Sequence, residues 1–360
     1  MSKTTVDATP HLVHGGDWAA FSLEHGGALP LDFSANVSPL GTPDGVVDAI
    51  ARAAHDIWRY PDPLCRDLVD ALATHEGVDC SWVLPGSGAA DLIFRAVDAR
   101  RPSHALVCAP TFAEYESALR ARGCEVRQHL LKVDRSFAVE EDILDAIGLD
   151  TDMVFLCQPN NPTGVSTSRD LLKRIADACD RAGALLVVDE CFVDFLDNHE
   201  EITFVPELAQ YPGLLILKAF TKILGMAGVR LGYCLSSDAA LLERMRLSGP
   251  PWSVSHLAQQ AGLAALKETD FVAGTRQIVR TERPWLISQL ASLGFEVVPG
   301  EANFLLFKSR LRLEVPLRER GILIRSCANY RGLCDGWYRC AVRGRAENVQ
   351  LIEALKEVLS

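Results

Sequence analysis

Ala219-Phe220-Thr221-Lys222 is followed eight residues later by Arg230, with Gly225, Gly228 and Gly232 around it. An amine at Lys222 can condense with an aldehyde, and a guanidinium across a glycine-rich turn can hold a phosphate. Pyridoxal phosphate (PLP) needs both groups, several ångströms apart. Only eight lysines occur in the 360 residues, so few compete for the role. Read alone, Lys222 also suits a surface lysine just past a strand. Its company decides between the two.

Asp189 follows the apolar run Leu185-Leu186-Val187-Val188 directly. A carboxylate at the end of a buried strand needs a partner, and a pyridinium N–H is one that would keep the ring protonated. A cap on the next turn is the other use for such a residue. Gly86-Ser87-Gly88-Ala89-Ala90 opens a helix whose free N–H groups favour a phosphate, although an ordinary loop-to-helix cap has the same sequence. Phe112 could stack on a pyridine face or belong to the core. Asn161, within Asn160-Asn161-Pro162-Thr163-Gly164, reads as a turn whose amide could reach the cofactor's phenolic oxygen.

These residues need a scaffold that brings distant loops to one edge. Short strands, apolar throughout, are expected at Ala105–Cys108, Met153–Cys157, Leu185–Val188, Leu214–Leu217 and Leu231–Leu235. Helices are expected at 46–58, 64–75, 89–99, 113–122 and 169–182. The alternation implies a mainly parallel sheet covered on both faces. In such sheets ligands sit outside the carboxyl ends of the strands, where Pro110-Thr111-Phe112, Asn160–Gly164, Asp189-Glu190 and Thr221-Lys222 all fall. After Asp238 the texture changes to long helices (239–247, 257–267 and 269–293), strands at 295–298 and 303–307, and a last helix at 347–359. The expected division is an arm over 1–40, a large domain over 41–240 and a smaller α+β domain over 241–360. The arm is expected to pack with the small domain and the active site.

A net charge of −11 argues against a nucleic-acid surface but not against a local arginine cluster that binds a small anion. Eleven scattered cysteines without a C-x-x-C pair offer no zinc-ligand pattern, so no metal is expected. The odd count and the absence of a secretory segment imply reduced thiols in the cytoplasm. No apolar run is long enough to span a bilayer, so no membrane partner is expected.

Gly88-Ala89-Ala90, Phe112, Asn160–Gly164, Asp189, Lys222, Arg230 and Arg339, in that order, resemble the fold-type I PLP enzymes of the aspartate aminotransferase superfamily. Six further stretches narrow the resemblance: His14-Gly15-Gly16, Asp32–Gly41, Arg59-Tyr60-Pro61-Asp62, Pro251-Trp252-Ser253-Val254, Tyr330-Arg331-Gly332-Leu333 and Tyr338–Arg343. They are similar to the histidinol-phosphate aminotransferase branch, and within it to the L-threonine O-3-phosphate decarboxylases of cobalamin biosynthesis. The resemblance implies an α/β fold, with a mainly parallel seven-stranded sheet sandwiched by helices and a smaller α+β C-terminal domain.

It also implies a job for each matched residue. Lys222 would carry PLP, with Asp189 on the ring nitrogen and Phe112 and Asn161 beside the ring. Thr221, Arg230 and the turn Gly88-Ala89-Ala90 would hold the cofactor phosphate, joined by Tyr60 of a neighbouring subunit in a homodimer. Arg339 would bind the substrate carboxylate and Arg325 the substrate phosphate, with His14, Asn36 and Asn161 nearby. The implied reaction is decarboxylation of L-threonine O-3-phosphate, with transamination of a phosphorylated amine as the alternative. Two positions depart from the relatives' pattern. Ala219 lacks a phosphate-binding hydroxyl, and Phe192 stands where the aminotransferases have a tyrosine.

Overall fold

The computed structural model describes residues 15–360. Seven strands form the central sheet, in the order Val83–Gly86, Gly232–Leu235, Leu214–Ala219, Leu185–Asp189, Met153–Cys157, His104–Ala109 and Glu125–Leu130. Only Gly232–Leu235 runs antiparallel to its neighbours. The other six therefore share one direction, and their carboxyl ends share one edge.

Pleating explains why the strands are apolar throughout. Leu106, Val154, Leu156, Leu186, Val188 and Ile216 point into a core on one face of the sheet. Val107, Phe155, Val187, Leu215 and Leu217 point into a second core on the other. Helices cover both faces. The helix Arg169–Ala182 is typical: Ser168 accepts from Leu171 N–H at its start, Gly183 ends it in the left-handed conformation, and Leu172, Ile175 and Cys179 face the sheet.

A second sheet of four antiparallel strands runs Arg325–Ser326, Trp337–Ala341, Phe304–Lys308 and Glu296–Val297. It packs with the helices Thr269–Ser292 and Arg345–Leu359 around Leu286, Leu290, Phe307, Tyr338, Leu351 and Leu355. The N-terminal segment joins this unit. Leu31–Asp32 pairs in parallel with Ile322–Leu323, and Phe33 is buried in the same core.

Among strands of four or more residues, three escape the pattern sought in the sequence. Val83–Gly86 contains Pro85 and is only four residues long. Glu125–Leu130 is the sheet edge, half-exposed and polar at Arg127, Gln128 and His129. Trp337–Ala341 carries a buried arginine at its centre. The expected helix over 46–58 is Asp44–Ala53 followed by a short 3-10 turn.

Candidate active site

At the common carboxyl edge a cavity of about 350 Å³ opens between the two sheets. Asn36, Ala89, Ala90, Phe112, Asn161, Asp189, Thr221, Lys222, Arg230, Arg325 and Arg339 all line it. Residues as far apart in the chain as Asn36 and Arg339 are thus brought together. Gly88 lies directly behind the wall: a Cβ there would come 2.8 Å from Arg230 Nη2. Its φ of +89° also requires glycine. His14 lies outside the described residues.

Asp189 is buried at the floor, and its carboxylate is pinned from two sides. Tyr115 Oη donates to Oδ2 at 2.6 Å, and the Cys191 N–H donates to Oδ1 at 3.0 Å. Tyr115 is a residue that sequence reasoning missed. It sits on the helix Ala113–Ala121, one turn after Phe112, and reads there as an ordinary core aromatic. Burial, reinforced by the Asp189 charge, pushes the Tyr115 hydroxyl well above its usual range, so it stays a donor.

Lys222 is held by its backbone: its carbonyl accepts from the N–H of Ser38 and of Gly225. Its ammonium lies 5.4 Å from the centre of the Phe192 ring. Desolvation is the main influence on this amine and holds its pKa below the ordinary lysine value. Cys191 and Asp189 oppose that shift, while Arg339 and Arg230 add to it. A depressed pKa leaves more neutral amine available to attack a carbonyl or accept a proton. Phe192 packs edge-on against Phe304 at 5.0 Å, so no hydroxyl from that position enters the cavity.

Arg339 is 7% exposed, and each of its three side-chain nitrogens has a partner. Nη1 donates to Asn161 Oδ1 at 2.5 Å and Nη2 to the Ser34 carbonyl at 2.8 Å. With its amide oxygen turned inward, Asn36 accepts from Nε at 3.2 Å. Arg325 stands directly opposite Arg339 on the adjacent strand. Its Nη2 donates to Asn329 Oδ1 at 2.9 Å and its guanidinium lies over the Tyr330 ring. Like charges in cross-strand register repel. Such a pair makes sense where anions come to sit against it.

The sequence comparison fits this geometry. The model of the aminotransferase class I and II family matches residues 30–355. The chain belongs to that family. Threonine-phosphate decarboxylase from Salmonella typhimurium is 39% identical over 360 residues, covering 95% of this chain and 98% of the relative. A histidinol-phosphate aminotransferase from Oleidesulfovibrio alaskensis is 35% identical over 344 residues, covering 91% of this chain and 86% of the relative. The solved structure of histidinol-phosphate aminotransferase from Sinorhizobium meliloti, in complex with PLP, matches with a TM-score of 0.83 at 23% identity. That match covers 99% of this chain and 98% of the other.

Family membership makes PLP the cofactor, and the cavity suits it. Lys222 would offer its amine to the cofactor's aldehyde, and the pinned carboxylate of Asp189 would accept from a ring N–H. The helix Ala89–Arg100 begins without a side-chain cap, which leaves its first N–H groups for a phosphate beside Arg230. Among the described residues no cluster is suited to a metal ion, and no helix is long and apolar enough to cross a membrane. All eleven cysteines are free thiols.

Proposed function

We propose that this enzyme decarboxylates L-threonine O-3-phosphate to (R)-1-amino-2-propanol O-2-phosphate and CO₂, as a cytoplasmic homodimer. The observation that carries the reading is the facing pair Arg325 and Arg339 in one small cavity. A short substrate with a carboxylate at one end and a phosphate at the other meets both guanidinium forks. The 39% identity to a threonine-phosphate decarboxylase supports it.

PLP, when bound, accepts the electrons of a bond broken at the substrate's α-carbon. The chain's residues choose which bond. Arg339, fixed by Asn161, Asn36 and the Ser34 carbonyl, receives the substrate carboxylate and sets its orientation. Arg325 receives the phosphate and fixes the other end. Asp189 keeps a proton on the ring nitrogen, and Tyr115 keeps Asp189 in place. Lys222 delivers a proton to the α-carbon after CO₂ has left. Phe192 withholds the hydrogen bond that a tyrosine would give the cofactor's phenolic oxygen, which favours the decarboxylase over the aminotransferase reading.

Arg325→Ala should lower the preference for phosphorylated over free threonine in kcat/KM. A charge-assisted pair in a partly dry site contributes about 1.5–3 kcal/mol, or roughly ten- to a hundredfold. An unchanged preference would remove Arg325 from the phosphate site.

Tyr60 supports the shared site. It is 78% exposed, stacks on Trp252 at 4.6 Å and does not line the cavity of its own chain. A large exposed aromatic stacked on a second one suits the approach of a second copy whose cofactor phosphate it would reach. Mixing inactive Lys222→Ala and inactive Tyr60→Ala proteins should restore part of the activity as subunits exchange. If exchange is demonstrated and activity stays absent, Tyr60 does not serve a partner's site.

A further inference from the structure

The turn assigned to the cofactor phosphate is held from behind by a pair of side chains with no part in the site so far. Asp91 lies on the first turn of the helix Ala89–Arg100, and its Oδ2 accepts from the Ser87 N–H at 2.9 Å. Its other oxygen, Oδ1, accepts from Arg95 Nε at 2.9 Å. Ser87 is the middle residue of Gly86-Ser87-Gly88, so one carboxylate ties the turn to the helix it precedes. Arg95 ties that carboxylate to the interior.

Arg95 is an unusual residue to bury. It is 5% exposed, and its Nη2 has no hydrogen-bond partner among the described residues. A buried guanidinium is costly, and the i,i+4 pair with Asp91 alone would be worth only a few tenths of a kcal/mol on a helix surface. The chain around it is built to accommodate it. Gly249 lies so close that a Cβ would stand 2.0 Å from Arg95 Cζ. Arg95 also borders a second cavity, of about 300 Å³, lined by the segment Gly249–Val254 that carries Trp252. The guanidinium thus sits between the Tyr60–Trp252 region and the phosphate turn.

We propose that Arg95 is a positioning residue for the cofactor phosphate, acting through Asp91 on the Gly86–Ala90 turn. The proposal rests on the assignment of that turn to the phosphate. Arg95 fixes the Asp91 rotamer, Asp91 fixes the Ser87 N–H, and the turn then presents the Ala89 and Ala90 N–H groups together with Arg230 against Gly88. Without the fork of Arg95, Asp91 swings toward solvent and the turn loses its internal anchor. The ring end of the site, built from Asp189, Tyr115 and Lys222 on other loops, is untouched.

The test compares apoenzyme affinity for PLP with affinity for pyridoxal, which has the same ring and aldehyde but no phosphate. Arg95→Met and Asp91→Asn should each weaken PLP binding about tenfold or more, the size of effect seen when an outer partner of a metal ligand is removed. Pyridoxal binding should change less than about twofold, within the error expected for independent sites. The double variant should bind PLP no more weakly than either single one, because the two residues act in series. Arg95→Lys keeps the charge without the fork and should lose PLP in the same way. Gly249→Ala, which crowds the guanidinium, gives a second route to that loss if Arg95→Met does not fold. Wild-type PLP affinity in Arg95→Met and Arg95→Lys would overturn the proposal. So would equal losses for PLP and pyridoxal, which would mark Arg95 as merely structural. A wild-type enzyme with no preference for PLP over pyridoxal would remove the phosphate-turn assignment itself, and the proposal with it.

Discussion

Lys222→Ala should yield a folded protein that loses the visible absorbance of covalently held PLP on dialysis and has almost no turnover. Among the described residues Lys222 is the only lysine lining the cavity. Lys218, four residues earlier, cannot replace it. Its ammonium lies in a buried network with Glu76 at 3.3 Å and Glu190 at 3.8 Å; burial lowers its pKa, and the charges of Asp194, Glu76 and Glu190 outweigh that and raise it. Loss of a positioned acid–base group alone costs on the order of 10² to 10⁴ in rate, and loss of covalent attachment adds to it. Residual activity should fall below about 10⁻⁴ of the parental value. Absorbance and borohydride-trapped label that survive in the variant would move the role to another amine.

Asp189→Asn should fold, bind PLP and react slowly. The amide keeps the size of the carboxylate and can still accept from the Cys191 N–H. It cannot balance a charge on the ring nitrogen, so the ring's capacity to accept electrons falls. One preorganised electrostatic contact of this kind is worth about 10² to 10³ in kcat. Tyr115→Phe should move in the same direction by less, since it removes only the 2.6 Å hydrogen bond that holds Asp189. Rates in Asp189→Asn close to the parental value would show that another group holds the ring proton.

Lys222, Asp189, Ala89 and Ala90 line one cavity, which Tyr60 does not, and their chemistry is written locally: an amine before a glycine-rich turn, a carboxylate ending an apolar strand, a glycine pair opening a helix. The parallel strands were legible for a related reason. Met153–Cys157 and Leu185–Asp189 are covered on both faces and carry little but apolar side chains before their last residue. The edge strand Glu125–Leu130 has one neighbour and a wet face, so its composition does not separate it from a loop.

What sequence could not provide was pairing across the chain. Arg325 and Arg339 are fourteen positions apart, and only the antiparallel register sets them face to face. Tyr115 reaches Asp189 across 74 positions of the chain. Asp91 and Arg95 stand four positions apart, but such i,i+4 pairs are common on exposed helix faces and single out nothing in the sequence. Burial of the arginine, and the turn that the aspartate holds, become visible only in three dimensions.

The most direct test of the central claim is to incubate the PLP-loaded enzyme with L-threonine O-3-phosphate and no oxo-acid, and to measure CO₂ with the phosphorylated product. The account predicts CO₂ and 1-amino-2-propanol O-2-phosphate in equal amounts over many turnovers, without stoichiometric accumulation of pyridoxamine phosphate. An enzyme that evolves no CO₂, requires 2-oxoglutarate and converts histidinol phosphate would contradict it.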